Sequence, residues 1–380
     1  MRITIEKLVY GGAGLARTES GVVFVPRTAP GDVVDVEIVE RKPDYAVARL
    51  LSLVEASNDR QTPTCPNYST AGCCHWEHIR YSRQVEIKEA ILRETLQRTG
   101  RLVWESPITT LSSVDTHYRL RASFHVRNQK VGFVEEGTHS VVPIKECSAL
   151  STELNNFIPE ANTILSEPGM ANVREVHAIS GPPVLAAFDN KNIGPGPVRL
   201  RVKDWGFELH PLAFFQSNRY LLDSFLDEVV RQASGARRIL DLFCGSGFFS
   251  IPLCRDRAQV LGVESNAVAI RQAQINKALN GVTNVEFFQG SVEDTLKTSP
   301  DVTPDLIVLN PPRTGAGREA ARRIAGLKAD RIIYVSCNPS TFGREAAVFC
   351  SDGYTLQSLT LVDQFPNTYH IESVGVFQRT

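Results

Sequence analysis

Apolar residues are spaced differently in successive parts of the chain. Up to about residue 56 they come in short alternating runs closed by turn residues. Ile3-Thr4-Ile5 leads to Gly11-Gly12-Ala13-Gly14, and Val22-Val23-Phe24-Val25 stops at Pro26. Pro30-Gly31-Asp32 then precedes Val33 to Val39, with Ala46 to Val54 last. Short strands with regular turn signals predict a small β-barrel over 1–56. Residues 57–82 read as loop. Over Gln84 to Gly100 the period changes: Val85, Ile87, Ala90, Ile91, Leu92 and Leu96 fall near one helical face, and Gly100 suits a cap. Residues 108–204 look mainly β, with Tyr118 to Val126 alternating most clearly. Beyond 205, strand-like Arg238–Asp241, Val260–Val263, Val285–Phe288, Leu306–Leu309 and Arg331–Val335 alternate with helical stretches. That is the pattern of a doubly wound α/β sheet, with ligands at the C-terminal strand ends. The expected organisation is a barrel at 1–56, a central, mainly β domain from 57–82 and 108–204, and an α/β domain from 83–107 and 205–380.

With 380 residues, 42% of them hydrophobic and 22% charged, the chain has the make-up of a soluble protein of two or three domains. No run of about 18 apolar residues offers a membrane span. Met1 to Glu6 alternates like a strand and has no apolar leader core, which points to a cytoplasmic protein. Eight cysteines are too sparse for a disulfide scaffold, and clustered ones read as ligands or catalysts. The net charge of −1 lacks the basic excess of most nucleic-acid binders. Its distribution changes the picture. Arg80 to Lys130 holds ten Lys/Arg against five Asp/Glu, and Pro312 to Arg331 holds six against two. Either alone reads as a solvated face; together they suffice to hold an RNA backbone.

Candidate chemistry gathers in the α/β region. Ile239-Leu240-Asp241-Leu242 runs into Phe243-Cys244-Gly245-Ser246-Gly247. Gly245 and Gly247 let a ligand approach the backbone. Glu264 closes the next strand about 20 residues on, the position of a carboxylate that binds ribose hydroxyls. The third glycine of a dinucleotide fingerprint is missing, so the loop is closer to the S-adenosylmethionine loop of class I methyltransferases. Cys337 follows a strand in Ser336-Cys337-Asn338-Pro339, where the Asn-Pro turn would expose the thiol. A thiolate there needs nearby positive charge, for which Arg313 and Arg344 are the candidates. Cys244, Cys254 and Cys350 read as core cysteines. Glu372 lies in a segment of period two, where a solvent-facing carboxylate is the plainer reading.

Phe365-Pro366-Asn367-Thr368-Tyr369-His370-Ile371-Glu372 resembles the Phe-Pro-x-Thr-x-His-x-Glu of the RNA uracil-C5 methyltransferases, which use S-adenosylmethionine. Ser336–Pro339 and the 241–247 loop match the same family in the same order, and 1–56 resembles the TRAM domain. The resemblance implies a class I (Rossmann-like) methyltransferase domain behind an OB-like barrel. It implies that Cys337 adds to uracil C6 and that Glu372 removes the C5 proton, with His370 orienting Glu372 or simply packing. Phe214-Phe215-Gln216-Ser217-Asn218 resembles the family's Phe-x-Gln-x-Asn element, whose glutamine contacts the cofactor. Phe243 and Phe248 would flank the cofactor. Asn310 would face it, where the family usually has Asp; an amide supplies no negative charge beside the sulfonium.

Cys65, Cys73, Cys74 and Cys147 resemble the iron–sulfur site of some members. The family spacing puts Ala71 at the second ligand position, so a [4Fe–4S] cluster needs Cys73 as a substitute. Zinc and no metal are the alternatives. Barrel and cysteines together imply 23S ribosomal RNA as the substrate, with transfer RNA as the alternative and the target base out of its stack. No stable protein partner is implied. Two rivals stay open. One is an exocyclic-amine nucleic-acid methyltransferase, suggested by Asn310-Pro311-Pro312 although Arg313 replaces the aromatic residue those enzymes place next. The other is a non-catalytic RNA-binding assembly factor.

Overall fold

The computed structural model describes residues 1–135, 137–189, 191–193, 196–298 and 303–380. The N-terminal strands form a six-stranded sheet in the order Arg2–Thr4, Val33–Arg41, Tyr45–Glu55, Gly21–Val25, Gly14–Thr18, Lys7–Leu8. Alternation along each strand sends Ile5, Val25, Val34 and Val36 into a small core of their own. The Pro30–Asp32 turn is fixed by Asp32, which is fully buried. Its carboxylate accepts from the Ala29 and Ser57 amides at 2.6 and 3.0 Å and from Arg60 Nη2 at 2.7 Å. Arg60 thereby ties the following loop to this domain.

A second six-stranded sheet, antiparallel throughout, runs Val141–Pro143, Lys130–Val134, Arg121–Arg127, Glu175–Ile179, Leu185–Phe188, Lys191–Ile193. Helix Thr152–Leu165 lies against it, burying Leu154, Phe157, Ile158, Ala161 and Leu165. The mainly β expectation missed this helix. Its apolar spacing is helical and Ser151 caps it, the Leu154 amide donating to Ser151 Oγ at 3.3 Å. Pro159 interrupts the pattern in the sequence, yet the helix continues through it.

The third sheet carries the site. Its eight strands run Val285–Gln289, Gln259–Glu264, Arg238–Leu242, Leu306–Leu309, Arg331–Ser336, Glu372–Arg379, Tyr354–Val362, Thr109–Leu111. The first five are parallel, and Glu372–Arg379 runs against Arg331–Ser336. Two expected boundaries move. Thr109–Leu111 pairs with Thr360–Val362, so the chain after 108 begins at the edge of this sheet. A boundary at 205 cuts the hairpin Val198–Val202/Trp205–Leu209. That hairpin is held to helix Ala267–Leu279 and its cap, the Gly206 and Glu208 amides donating to Asn280 and Asn276 at 2.8 and 2.7 Å. Helix Tyr81–Thr95 continues as a π-helical turn, Leu96–Gly100, against helix Pro339–Ser351. A Cβ on Gly100 would lie 2.5 Å from Gly343 O, so the close approach depends on glycine. No helix among the described residues is long and apolar enough to cross a membrane.

Candidate active site

Strand register assembles the site. Leu242 lies opposite Val263 on one side and Leu309 on the other, which brings Phe243, Glu264 and Asn310 to one sheet edge. The Asn310 amide donates to Leu242 O at 3.2 Å. Two strands away, Ser336 pairs with Ser373 across an antiparallel ladder. The residue after Ser336 is therefore set beside the residue before Ser373. Cys337, leaving one strand, meets Glu372, entering the next.

The glycine loop turns sharply. Phe243, Gly245 and Gly247 all have positive φ, at 60°, 56° and 84°. For phenylalanine this is a strained conformation, of a kind that gathers at ligand sites. The Gly245 amide donates to Glu264 Oε2 at 3.2 Å, and the Asn266 amide to Oε1 at 2.8 Å. Glu264 thus holds the loop while offering further lone pairs. Space above Gly245 is open: a Cβ on this residue would meet no atom within 4 Å. Asp241 is buried, and Ser250 Oγ donates to its Oδ2 at 2.5 Å. Its Oδ1 has no hydrogen-bond partner among the described residues. Burial pushes this carboxyl up to about 7, with Glu264 adding to the effect and Ser250 opposing it. An open glycine cradle, a carboxylate at the next strand end and an orphaned acceptor beneath fit a cofactor with ribose hydroxyls and an amino group. Gln216 is buried nearby, in a segment tied to the loop by the Ser246 hydroxyl donating to Phe214 O at 3.4 Å. Phe248 packs among Phe207, Phe215 and Phe249, with centroids 4.9–5.7 Å apart, and so supports the loop from beneath rather than lining its open side.

Around Cys337 the charges are opposed. Burial pushes its thiol up to about 12, Glu372 adds to this, and the neighbouring Arg313 guanidinium pulls the other way. Burial likewise pushes Glu372 up to about 8 against Arg313. Of the two arginines named from the sequence, Arg313 is the one beside the thiol. It also donates from Nη2 to His370 Nδ1 at 2.5 Å. His370, pushed down to about 3 by burial and Arg313, is neutral and can accept. Asn338 joins the two motifs: its Nδ2 donates to Arg313 O at 3.0 Å, and its Oδ1 accepts the Ser340 amide at 3.0 Å as a helix cap.

Several supports were not singled out from the sequence. Glu345 accepts Tyr334 Oη at 2.7 Å and the Gly317 amide at 2.8 Å, setting the loop after Arg313. The 365–372 segment is clamped from helix Tyr81–Thr95. Gln84 exchanges hydrogen bonds with Asn367 at 2.8 and 2.9 Å, and Lys88 donates to Phe365 O at 3.0 Å. Lys88 and Asp363 form a fully buried ion pair at 2.6 Å. Only Asp241 carried a local signal, as the acidic residue heading a glycine loop.

The four clustered cysteines meet where the 65–74 loop lies against the central domain, with Asn67 Nδ2 donating to Glu146 O at 2.8 Å. Cys65, Cys74 and Cys147 are buried, and Cys73 is partly exposed. Cys73 lies beside Cys147 and Cys74, and Cys65 lies within electrostatic reach. The Cys147 thiol is pushed well up by its bond to Cys73 and by burial. Ala71, at the family's second ligand position, is buried in a bridge to Glu135. Among the described residues no group of three or more His, Cys, Asp or Glu is spaced as a metal cage. The donor set, all sulfur, fits a thiolate-bound group in chemistry.

Fold and site define a Rossmann-like methyltransferase with a cysteine–glutamate pair at the strand ends. Comparison with known proteins narrows this. The family described as tRNA (Uracil-5-)-methyltransferase matches residues 197–380, and the TRAM domain matches 1–51. The 23S rRNA (uracil(1939)-C(5))-methyltransferase RlmD of Shewanella amazonensis is 32% identical, over 99% of this chain and 95% of its own length. An uncharacterized RNA methyltransferase of Aquifex aeolicus is 31% identical over 100% and 98%. The Pyrococcus abyssi tRNA (uracil-54, C5)-methyltransferase, solved with S-adenosyl-L-homocysteine, superposes with a TM-score of 0.78 at 26% identity, over 99% of this chain and 100% of that one. The chain belongs to the RNA uracil-C5 methyltransferase family and is an enzyme of S-adenosylmethionine-dependent RNA methylation.

Proposed function

We propose that the protein methylates C5 of a uridine in 23S ribosomal RNA through a covalent Cys337–C6 adduct. The observation that carries this is the Ser336–Ser373 pairing, which sets Cys337 beside Glu372 at the edge that also bears Asn310 and the glycine loop. Uracil C5 is a poor nucleophile until a thiolate adds at C6. Arg313 stabilises the Cys337 thiolate for that addition. S-adenosylmethionine, when bound, supplies the electrophilic methyl group. Glu264 holds the ribose, and Gly245, Gly247, Phe243, Gln216 and Asn310 shape the pocket. Glu372 then takes the C5 proton, and the Cys337–C6 bond breaks to release the thiolate.

The ribosomal substrate is favoured by the RlmD relatives, which match over nearly the whole chain. Transfer RNA is the second reading, favoured by the Pyrococcus abyssi enzyme. Unmodified 23S ribosomal RNA and transfer RNA, incubated with the protein and mapped for 5-methyluridine, decide between them. Product on neither defeats the proposal. For the cysteines we propose a [4Fe–4S] cluster held by Cys65, Cys73, Cys74 and Cys147, which would stabilise the loop and take no part in methyl transfer. Protein prepared without oxygen should be brown, with about four iron and four sulfide per chain. Colourless protein, or stoichiometric zinc, would rule the cluster out.

A further inference from the structure

The N-terminal domain reaches the catalytic core at Tyr10 and the turn after it. Tyr10 precedes the Gly11–Gly14 turn, which docks against the 365–372 segment. Trp76 Nε1 donates to Gly12 O at 3.0 Å, and a Cβ on Gly12 would come within 2.9 Å of Tyr369 Cδ1. The Tyr10 ring stands at 90° to the Tyr369 ring, centroids 5.9 Å apart. Tyr369 in turn packs on His370 at 4.5 Å, and His370 accepts from Arg313 at 2.5 Å. A short aromatic pile therefore links the N-terminal domain to the guanidinium beside Cys337.

The Tyr10 ring is partly buried against the catalytic core, while its hydroxyl makes no hydrogen bond to a described residue. Burial pushes the phenol up to about 12; Arg313 opposes this, and Cys337, Tyr369 and Glu372 add to it. The hydroxyl is thus a proton donor at neutral pH, within electrostatic reach of both catalytic groups. A half-buried donor without a protein acceptor is stabilised when a ligand supplies one. Uracil presents carbonyl oxygens, and one gains negative charge when a thiolate adds at C6, which strengthens such a bond in the transition state.

We propose that Tyr10 belongs to the catalytic pocket, its hydroxyl donating a hydrogen bond to a carbonyl oxygen of the target uracil and so fixing the base between Cys337 and Glu372. This rests on the uridine-C5 reading above. It gives the N-terminal domain a part in the chemistry beyond holding RNA.

Tyr10→Phe keeps the ring on Tyr369 and removes only the hydroxyl. The test uses the full chain, saturating S-adenosylmethionine and an RNA that the wild type methylates. The single-turnover rate of methyl transfer should fall about tenfold, with RNA affinity, cofactor affinity and melting temperature unchanged. Tyr10→Leu, which also loses the ring, should be slower still at unchanged cofactor affinity. A wild-type rate in Tyr10→Phe overturns the proposal. So does a loss confined to RNA affinity, which would put the hydroxyl on the RNA backbone or a flanking nucleotide. If the wild type methylates no uridine, the underlying reading falls and the proposal with it. An active wild type with an unaffected Tyr10→Phe defeats the proposal alone.

Discussion

Turnover should rise steeply with pH, because two groups must give up protons. Glu372 titrates near 8 instead of 4.5, since burial opposes its charge and Arg313 offsets this only in part. Cys337 titrates near 12, raised by burial and by Glu372 and lowered by Arg313. Below about pH 8, each pH unit exposes roughly tenfold more carboxylate and tenfold more thiolate; because the two act in successive steps separated by methyl transfer, the log rate of each step should climb with a slope near one. Above it the carboxylate is saturated, so proton removal should level off while the thiolate-dependent step keeps climbing. The groups interact, so the break belongs to the pair. Glu372→Gln separates them. It removes the base and also the negative neighbour of Cys337, so addition should proceed more readily while removal of the C5 proton stalls. The variant should accumulate as a covalent complex with methylated RNA, seen as a slow band on a denaturing gel. Its formation should follow a slope of about one throughout. From about pH 6 to 9, rapid-quench single turnovers with labelled cofactor measure the thiolate-dependent methyl transfer, and release of methylated RNA from the adduct measures the Glu372 step. A flat wild-type profile, or a Glu372→Gln variant that turns over normally, would remove Glu372 from its role. Stability should move the opposite way. The unfolded chain loses this proton near 4.5 and the folded chain near 8, so the native state loses stability as pH rises across that interval. At pH near 8, Glu372→Gln should melt above the wild type.

Cys337→Ala should give neither adduct nor 5-methyluridine; methylated product from this variant would exclude the covalent route. Glu264→Ala should weaken S-adenosylmethionine binding about tenfold to hundredfold by calorimetric titration, through the lost ribose bonds and the freed Gly245 amide. Unchanged affinity would mean that the ribose lies elsewhere. Lys88→Met leaves Asp363 buried and uncompensated, and should cost about 3–5 kcal/mol in denaturant unfolding. A cost below about 1 kcal/mol would mean that the pair behaves like a surface ion pair.

The chemistry of this site was legible where a short motif coincides with a strand end. Ser336-Cys337-Asn338-Pro339 announces a strand end and a helix cap within four residues, and the glycine loop announces a turn at the next strand end; the thiol, expected to be exposed, is instead largely covered. The α/β alternation after 205 was legible because buried parallel strands are near-continuous apolar runs. The helix Thr152–Leu165 was not, since Pro159 breaks its pattern and only packing against the sheet restores it. The edge strand Thr109–Leu111 is too short to carry a periodicity, and its place depends on a partner some 250 residues away.

The relation between the proposed nucleophile and the proposed base is the clearest case of what local patterns omit. Cys337 and Glu372 each belong to a recognisable motif, yet no pattern in either states that they lie side by side. That follows from one topological fact: the strand bearing Glu372 runs against the strand preceding Cys337. Had it run parallel, its first residue would lie at the opposite end of the sheet from Cys337. The same reversal explains the supports that sequence reasoning missed. The 365–372 segment lies in the loop that joins Val362 to Glu372 on adjacent antiparallel strands, and such a loop buries backbone groups that the ladder itself cannot pair. Gln84, Lys88 and Trp76 supply those partners, from a helix and a loop nearly 300 residues earlier. Each is an ordinary helix or loop residue in its own neighbourhood, and only its contact with this distant loop gives it a function. Damage to these residues should therefore appear first as a misplaced Glu372, with Cys337 still able to form adduct, which is the behaviour of Glu372→Gln without any change to the carboxylate.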